Sequence, residues 1–419
     1  MPQMPAAVDI PACGLVDSSR KKHPPPGFDK AVKKQASDPN VVVSNQSSFD
    51  SLVKGRQSDI QSLRFSCGPL TVKTMQSLIQ NNWPALHSID FSASQLDQHH
   101  MKHLAECSCP NLQNLDLSSN KLGEEAMFRF SLVGEKWPNL EVLNLSSSQL
   151  DPGALVHLIK AKFSKLQSLD LRYNDLNYIA MGEIVKGGWP QLRKLAISRG
   201  VDEDGCHLLT KAVANKIEWP SLEHLDLSCN KQLDEGAMKK LTRGQWPWLD
   251  TVILSGCLLD AKAVSRLSKA KWGNLKNLDL SSNPICSDAV ASLATGSFRK
   301  LEVLKLVCCD LDSSVIEHLS KARWPKIVVV NISMNKIGAA AFAGLAAADW
   351  PLLQELNLAD NELGEDIKMF VDDKPLAWTS NKLDPPGWRN FPCLKVLDIS
   401  KNLAVGKDSA VVKRAMHAS

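Results

Sequence analysis

Few residues in this 419-residue sequence are spaced in a way that suits catalysis or metal binding. His99 and His103 are four positions apart, so they could share one helix face and one metal ion. The cysteine pairs Cys107-x-Cys109 and Cys308-Cys309 have no matching Cys or His pair at zinc spacing. With no third ligand, no phosphate-binding glycine loop and no nucleophile elbow, we expect neither a metal nor a cofactor.

A recurring carboxylate is the other chemical possibility, because two carboxylates about 5 Å apart can perform paired-carboxylate catalysis, one as nucleophile and one as acid/base. The series comprises Asp90, Asp116, Asp170, Asp226, Asp279 and Asp398. The sequence implies no pocket for a leaving group and no partner base, so we expect the protein not to be an enzyme.

A Leu-x-x-Leu-x-Leu unit positions these aspartates. Its first position falls at Ile60, Leu86, Leu112, Leu140, Leu166, Leu192, Leu222, Leu249, Leu275, Leu301, Ile327, Leu353 and Leu394. Eight of the twelve intervals are 26 residues, which indicates a true period. The last two apolar residues of a unit lie two positions apart and share one face of a strand, so the residue between them points to the other face.

Two further columns follow the same period. Asparagine recurs where each strand ends, at Asn120, Asn174, Asn230, Asn283, Asn335, Asn361 and Asn402, with Cys257 and Cys309 as substitutes. Its amide can satisfy backbone groups of the turn. An aromatic residue, usually Trp followed by Pro, stands three places before almost every unit, and eight of the eleven tryptophans lie in this column. We interpret that column as packing between coils; the alternative is a platform for stacking nucleic-acid bases.

Segments of helical propensity, such as residues 261–272, join each turn to the next strand. The pattern resembles the leucine-rich-repeat family, and the long strand-plus-helix unit is similar to its intracellular, ribonuclease-inhibitor-like branch, in a Trp-Pro variant. The resemblance implies an α/β solenoid of about 13 coils, with a parallel sheet on a concave face and short helices on the convex face. We expect a flexible N-terminal arm (1–47), the solenoid (48–405) with an inserted loop (371–389), and a tail (406–419).

Composition restricts the cellular context. The net charge of +4 is too small to indicate nucleic acid, which we consider an improbable partner. No run of 18 apolar residues is present, and Pro and Asp interrupt the N-terminus where a signal peptide needs an apolar core. Eleven scattered cysteines are typical of a reducing compartment. We therefore expect a cytoplasmic, alternatively nuclear, protein that is not secreted.

Binding is the function that remains, and the outward strand positions are its candidates. One interpretation is that Asp and Ser simply fill a solvated strand; the other is an acidic groove for a basic segment of a protein partner. Apolar interruptions predict a hot spot at Ile253, Val303, Val307 and Val329, next to Lys305. Arg172 and Tyr173 form a second candidate.

The inserted loop contributes Trp378 and Trp388, both outside the packing column. It could bind a partner or cap the last coil. The sequence thus predicts a non-enzymatic protein-interaction scaffold. Two alternatives remain: a regulator of a small GTPase or inhibitor of an enzyme, which would act through Arg172 or Arg199, and a ubiquitin-ligase adaptor, for which no F-box-like segment is visible.

Overall fold

Strands and helices alternate along the chain in a computed structural model that describes residues 39–53, 58–66, 68–107, 109–214, 219–338, 344–345, 347–364, 391–402 and 411–413. The strands are β1 (Asn40–Val43), β2 (Ser62–Phe65), β3 (Ser88–Asp90), β4 (Asn114–Asp116), β5 (Val142–Asn144), β6 (Ser168–Asp170), β7 (Lys194–Ala196), β8 (His224–Asp226), β9 (Thr251–Ile253), β10 (Asn277–Asp279), β11 (Val303–Lys305), β12 (Val329–Asn331), β13 (Glu355–Asn357), β14 (Val396–Asp398) and β15 (Val411–Lys413). The helices are α1 (Gln46–Val53), α2 (Val72–Ile79), α3 (Gln98–Leu104), α4 (Glu124–Phe130), α5 (Pro152–Lys160), α6 (Tyr178–Ile184), α7 (Glu203–Ala214), α8 (Glu235–Arg243), α9 (Ala261–Leu267), α10 (Ser287–Ala294) and α11 (Val315–Ser320).

All strands belong to one sheet, in which β1 to β14 pair in parallel and in sequence order. β15 adds an antiparallel edge to β14. This is the predicted leucine-rich-repeat solenoid. The sheet begins at Asn40, eight residues before the predicted start of the repeat at 48, because the β-branched run of β1 pairs with β2 although it lacks the leucine unit. The predicted loop at 371–389 lies outside the described residues.

Each described connection from β1 to β12 contains a short helix with its apolar side on the sheet. Side chains cap several helix starts: Asp151 accepts from the backbone N–H of Ala154, and Asp260 from that of Ala263, each at 2.8 Å. The interval from Leu192 to Leu222 is 30 residues, four longer than the period, and it contains the 12-residue helix α7. No helix among the described residues is both long and apolar enough to cross a membrane.

The aromatic column packs between coils, which confirms its predicted structural function. All eight of its tryptophans are buried. Consecutive rings stack where they meet: Trp324 and Trp350 lie 6.2 Å apart, and Trp350 and Phe391 6.0 Å. Such buried faces are unavailable for nucleic-acid bases.

Buried asparagine amides connect consecutive coils. At Asn283, Oδ1 accepts from the backbone N–H groups of Cys257 and Leu259 in the preceding coil, at 2.9 and 3.0 Å. Its Nδ2 donates to the carbonyls of Leu254 and Leu280, both at 2.8 Å. Nδ2 also lies 3.2 Å from the carbonyl of Ser281, so one side chain bonds to five backbone groups of the turns.

The ladder alternates, which the sequence prediction missed. The position runs Ser94, Asn120, Ser148, Asn174, Gly200, Asn230, Cys257, Asn283, Cys309 and Asn335. In a coil without asparagine, backbone N–H groups of the turn donate to the asparagine side chain of the following coil, as those of Cys257 and Leu259 donate to Asn283. In a coil with asparagine, one N–H donates to a backbone carbonyl of the following coil, as that of Ile285 donates to the carbonyl of Cys309 at 3.2 Å. Two kinds of junction thus succeed each other along this stretch.

We expect Asn283→Ala to lower the free energy of unfolding by about 3 kcal/mol, because it leaves several buried backbone groups unpaired. Urea denaturation followed by circular dichroism measures the loss. Asn111→Ala is the matched control, since Asn111 is exposed and makes one hydrogen bond, to the carbonyl of Pro84. Equal shifts of the two midpoints would contradict the structural function of the ladder.

Candidate functional site

Three columns of side chains line the sheet face away from the helices, called here the open face. Each three-residue strand buries its middle residue and leaves the outer two less buried, as in β6 and β9. The first column contains the first residue of each strand, such as Asn277 and Val303. The middle column contains the third residue of each strand, so that Asp226 neighbours Ile253 and Asp279 neighbours Lys305, as predicted. The last column contains the residue two positions after that, such as Ser281 and Val307.

The aspartates of the middle column close turns. In each case Oδ1 accepts the backbone N–H two residues later: Ser92 on Asp90, Ser118 on Asp116, Arg172 on Asp170, Ser228 on Asp226, Ser281 on Asp279 and Ser400 on Asp398, at 2.8 to 3.0 Å. Asparagine does the same in other coils, as at Asn331. The recurrence of Asp and Ser is therefore explained by the turn that ends each strand.

The second carboxylate oxygen of several of these aspartates is also engaged. Asp90 pairs with Arg64 at 3.1 Å, and Asp279 with Lys305 at 3.9 Å. Asp116 accepts from the amide of Asn144 at 2.9 Å. The open face therefore balances much of its own negative charge, which disfavours the predicted acidic groove.

Arg172 crosses one strand to bind two of the predicted site aspartates. Its Nε and one terminal nitrogen contact the carboxylate of Asp170, the shorter distance being 2.7 Å, and the other terminal nitrogen lies 3.0 Å from Asp226. The small side chain of Ala196 occupies the strand between them. The hydrogen bond to Asp170 and the charge of Asp226 raise the pKa of the Arg172 guanidinium above its ordinary value.

Tyr173 stands beside this cluster with 46% of its surface exposed. The guanidinium of Arg199 lies 5.8 Å from the ring centroid, a distance that permits a cation–π contact. Both arginines proposed to act on a GTPase are thus engaged by neighbouring side chains.

The structure divides the predicted apolar hot spot. Val303 and Val329 are direct neighbours in the register. Ile253 is separated from Val303 by the polar strand β10. Ile253, Val303, Val307 and Val329 are half-buried, whereas the sequence suggested exposed side chains, because neighbouring strands cover their flanks.

The coil of β11 departs from the repeat at both the aspartate and the serine position of the open face, with Lys305 and Val307. The side chain of Lys305 cannot accept the backbone N–H two residues later, as Asp279 and Asn331 do in the two neighbouring coils. The backbone N–H of Val307 instead donates to the hydroxyl of Ser281 in the preceding coil, at 3.2 Å. This coil therefore lacks the local turn bond of its neighbours.

Sequence reasoning missed Trp248, whose side chain is 59% exposed. It lies two residues after a buried column tryptophan and lines a cleft of about 1240 Å³ with Lys239, Arg243, Lys269 and Lys271. The signal was present, since Trp248 is outside the packing column. Trp378 and Trp388 lie outside the described residues.

His100, Cys257 and Cys309 serve the fold, whereas His99, the first of the predicted histidine pair, is exposed. His100 is buried, with Nδ1 2.7 Å from Asp97 and Nε2 2.9 Å from the carbonyl oxygen of Leu70. No group of three potential metal ligands occurs among the described residues. Burial raises the pKa of the Cys257 and Cys309 thiols to about 12.

We expect Arg172→Ala to lower the free energy of unfolding by about 2 kcal/mol, because the nearly buried Asp226 loses its cation. Arg64→Ala removes an Arg–Asp pair from the same face, but Arg64 is 64% exposed, so we expect a loss below about 0.5 kcal/mol. Urea denaturation distinguishes the two. A smaller effect for Arg172→Ala than for Arg64→Ala would contradict this account.

The adjacent thiols Cys308 and Cys309 should react differently at pH 8. Cys308 is exposed, whereas Cys309 is buried and its raised pKa keeps it protonated, so that almost no thiolate is present. Alkylation with iodoacetamide and peptide mass spectrometry should find label on Cys308 alone in the native protein. Both should be labelled in urea, and native labelling of Cys309 at the same rate would refute its protection.

Comparisons with known proteins agree with this architecture. The leucine-rich-repeat family model matches residues 108–131 and 220–239. No curated protein sequence matches significantly. Among solved structures, the complex of Rad7 and Elc1 in yeast has a chain of similar fold, with a TM-score of 0.50 and 17% identity over 86% of this chain and 84% of that one. The TLR13–ssRNA13 complex gives 0.50 and 18%, over 88% of this chain but only 50% of the other. At these identities the likeness extends to the fold alone. The chain has the leucine-rich-repeat solenoid fold, and two of its segments match the leucine-rich-repeat family model.

Proposed function

We propose that this protein is a non-enzymatic scaffold that binds another protein through the open face of its sheet. Leucine-rich-repeat proteins typically act in this way, because a solenoid exposes a long surface whose side chains are not needed for packing the core. Asp90 and Asp226, which could have acted in catalysis, accept backbone N–H groups of turns, and His100 is hydrogen-bonded to Asp97. These structural functions support binding over catalysis. We further infer a ribonuclease-inhibitor-like, intracellular type, supported by the helical coils and the alternation of asparagine with serine or cysteine.

The observation that carries the proposal is the valine–lysine patch, defined as Val303, Lys305, Val307 and Val329. In most coils of the open face, the repeated Asp or Asn accepts the N–H of the turn. The coils of β2, β7 and β9 lack that acceptor, with Arg64, Ala196 and Ile253, but keep the serine two positions later. The coil of β11 lacks both the acceptor and the serine, and two of its outward positions are apolar. A departure that weakens a repeated structural interaction is best explained by selection for contact with a partner.

Lys305 sets the expected chemistry of that partner. Its Nζ is 3.9 Å from Asp279, a loose pair, and the side chain is half exposed. Apolar contact from the valines, together with one available cation, fits a protein segment that carries an apolar residue and a carboxylate. We favour this over a basic segment, because Arg64, Arg172 and Lys305 already lie beside the aspartates.

The alternative functions have less support. Action on a GTPase through Arg172 would require that residue to leave two carboxylates. For a ubiquitin-ligase adaptor, the shared fold with the Rad7 and Elc1 complex is the available support, at 17% identity. A cytoplasmic or nuclear location stays a prediction from the sequence.

Restoring the repeat at this patch tests the proposal without disturbing the fold. We expect the triple variant Val303→Asn, Lys305→Asp, Val307→Ser to keep at least the wild-type urea midpoint, because a carboxylate in the middle column of β11 can again accept the turn N–H. Affinity capture from a lysate of the source cells, with quantitative mass spectrometry, should show proteins retained by wild type and lost with the triple variant.

Val142→Ser is the matched control, since Val142 is an exposed valine in the same column as Val303, on β5. It should retain those proteins. Identical sets captured by wild type and the folded triple variant would overturn the assignment of the partner to this patch.

A further inference from the structure

A basic cleft lies between consecutive coils at the ends of their helices, away from the open face. It has a volume of about 1240 Å³ and is lined by five cations and no carboxylate. Arg266 is held by Glu235 at 2.5 Å. The other four, Lys239, Arg243, Lys269 and Lys271, are exposed and form no ion pair with any described residue.

Trp248 forms part of the wall of this cleft, and the repeat does not require a tryptophan there. The equivalent residues of other coils are Asp59, Ala85, Asn111, Asn139, Lys165, Gln191, Ser221, Asn274, Lys300, Lys326, Leu352 and Cys393. The asparagines among them bind backbone carbonyls of the preceding coil, as Asn274 binds that of Pro247 at 2.6 Å. Trp248 instead exposes 59% of its surface. An exposed tryptophan without a packing function is a common feature of binding sites.

Charge complementarity identifies the ligand class. Helix dipoles favour cations near helix ends by only a few tenths of a kcal/mol each, and they do not account for Trp248. We propose that this cleft binds a short acidic segment of a partner protein, with an aromatic or apolar side chain of that segment packed on Trp248. The proposal does not depend on the valine–lysine patch, which lies on a different surface.

The aromatic content of this edge favours a peptide over single-stranded RNA. RNA binding of this kind uses a basic track along which successive bases stack on aromatic side chains. Some basic residues at the same edge of other coils are engaged, as Lys186 with Glu183 at 2.7 Å and Lys321 with Glu317 at 2.6 Å. Others, such as Lys160 and Lys162, form no ion pair with a described residue, but among the described residues Trp248 is the one exposed tryptophan. One aromatic side chain beside four unpaired cations fits a single side chain of a short acidic segment.

The test uses a fluorescein-labelled heptapeptide in which three glutamates flank a central phenylalanine on each side, with the full-length protein. Fluorescence polarisation should show saturable binding that weakens between 50 and 300 mM NaCl, values chosen to span strong and weak screening. Arg243→Glu with Lys269→Glu should weaken binding at least tenfold. Trp248→Asn should weaken it about tenfold and retain the urea midpoint, because asparagine is common at this position of the repeat.

Two matched controls should retain wild-type affinity. Lys160→Glu with Lys162→Glu makes the same charge change at the end of α5, and Leu352→Asn alters the equivalent exposed position in another coil. The proposal is overturned if the peptide does not bind at 1 mM, roughly the weakest affinity of interest, or if the cleft variants bind as wild type does. It is also overturned if a ten-nucleotide oligouridylate binds the cleft more tightly than the peptide.

Discussion

The asparagine amide buried between coils is the interaction on which the rest of the structure depends. A solenoid of short strands and short helices has a turn in every coil whose backbone groups face a dry interior, and each unpaired group would cost about 1 to 3 kcal/mol. Asn283 and its equivalents supply one acceptor and two donor hydrogens at that position. These bonds also join each coil to its predecessor, beside the backbone ladder of the sheet. The backbone pairing of the strands then aligns the columns of the open face.

Much of the fold could be predicted from the sequence, because residues that recur at a fixed interval occupy equivalent packing positions. Leucine, asparagine and Trp-Pro recur in this way, so the structure inferred for one coil applies to the others. The features that escaped are local: β1 lacks the leucine unit, and its valines reveal a strand only through pairing with β2. Ser94, Ser148 and Cys257 mark the coils without asparagine in the sequence. The two kinds of junction could not be predicted from them, because they depend on which backbone groups of neighbouring coils face each other.

The candidate site was less predictable, because exposure and pairing are three-dimensional properties. The middle-column aspartates and Arg172 looked like free binding groups in the sequence, yet they close turns and pair with each other. The valines on β11 looked exposed and are half-buried. Trp248 was visible as a residue outside its column, but only the structure places four unpaired cations beside it. Departure from the repeat was the useful signal; residue type alone misled.

The alternating junctions have a consequence for how such a molecule can change length. The coil of Cys257 presents N–H groups that need the amide of the following coil, and the coil of Asn283 presents one that needs a backbone carbonyl. Deleting an asparagine coil from this stretch would place two coils without the amide together and leave N–H groups without acceptors. Two asparagine coils, by contrast, do pair near the C-terminal end, where the N–H of Ile337 donates to Oδ1 of Asn361 at 3.2 Å. In genetic terms, a coil of the alternating stretch that carries asparagine can be lost without orphaned N–H groups only together with an adjacent coil that lacks it.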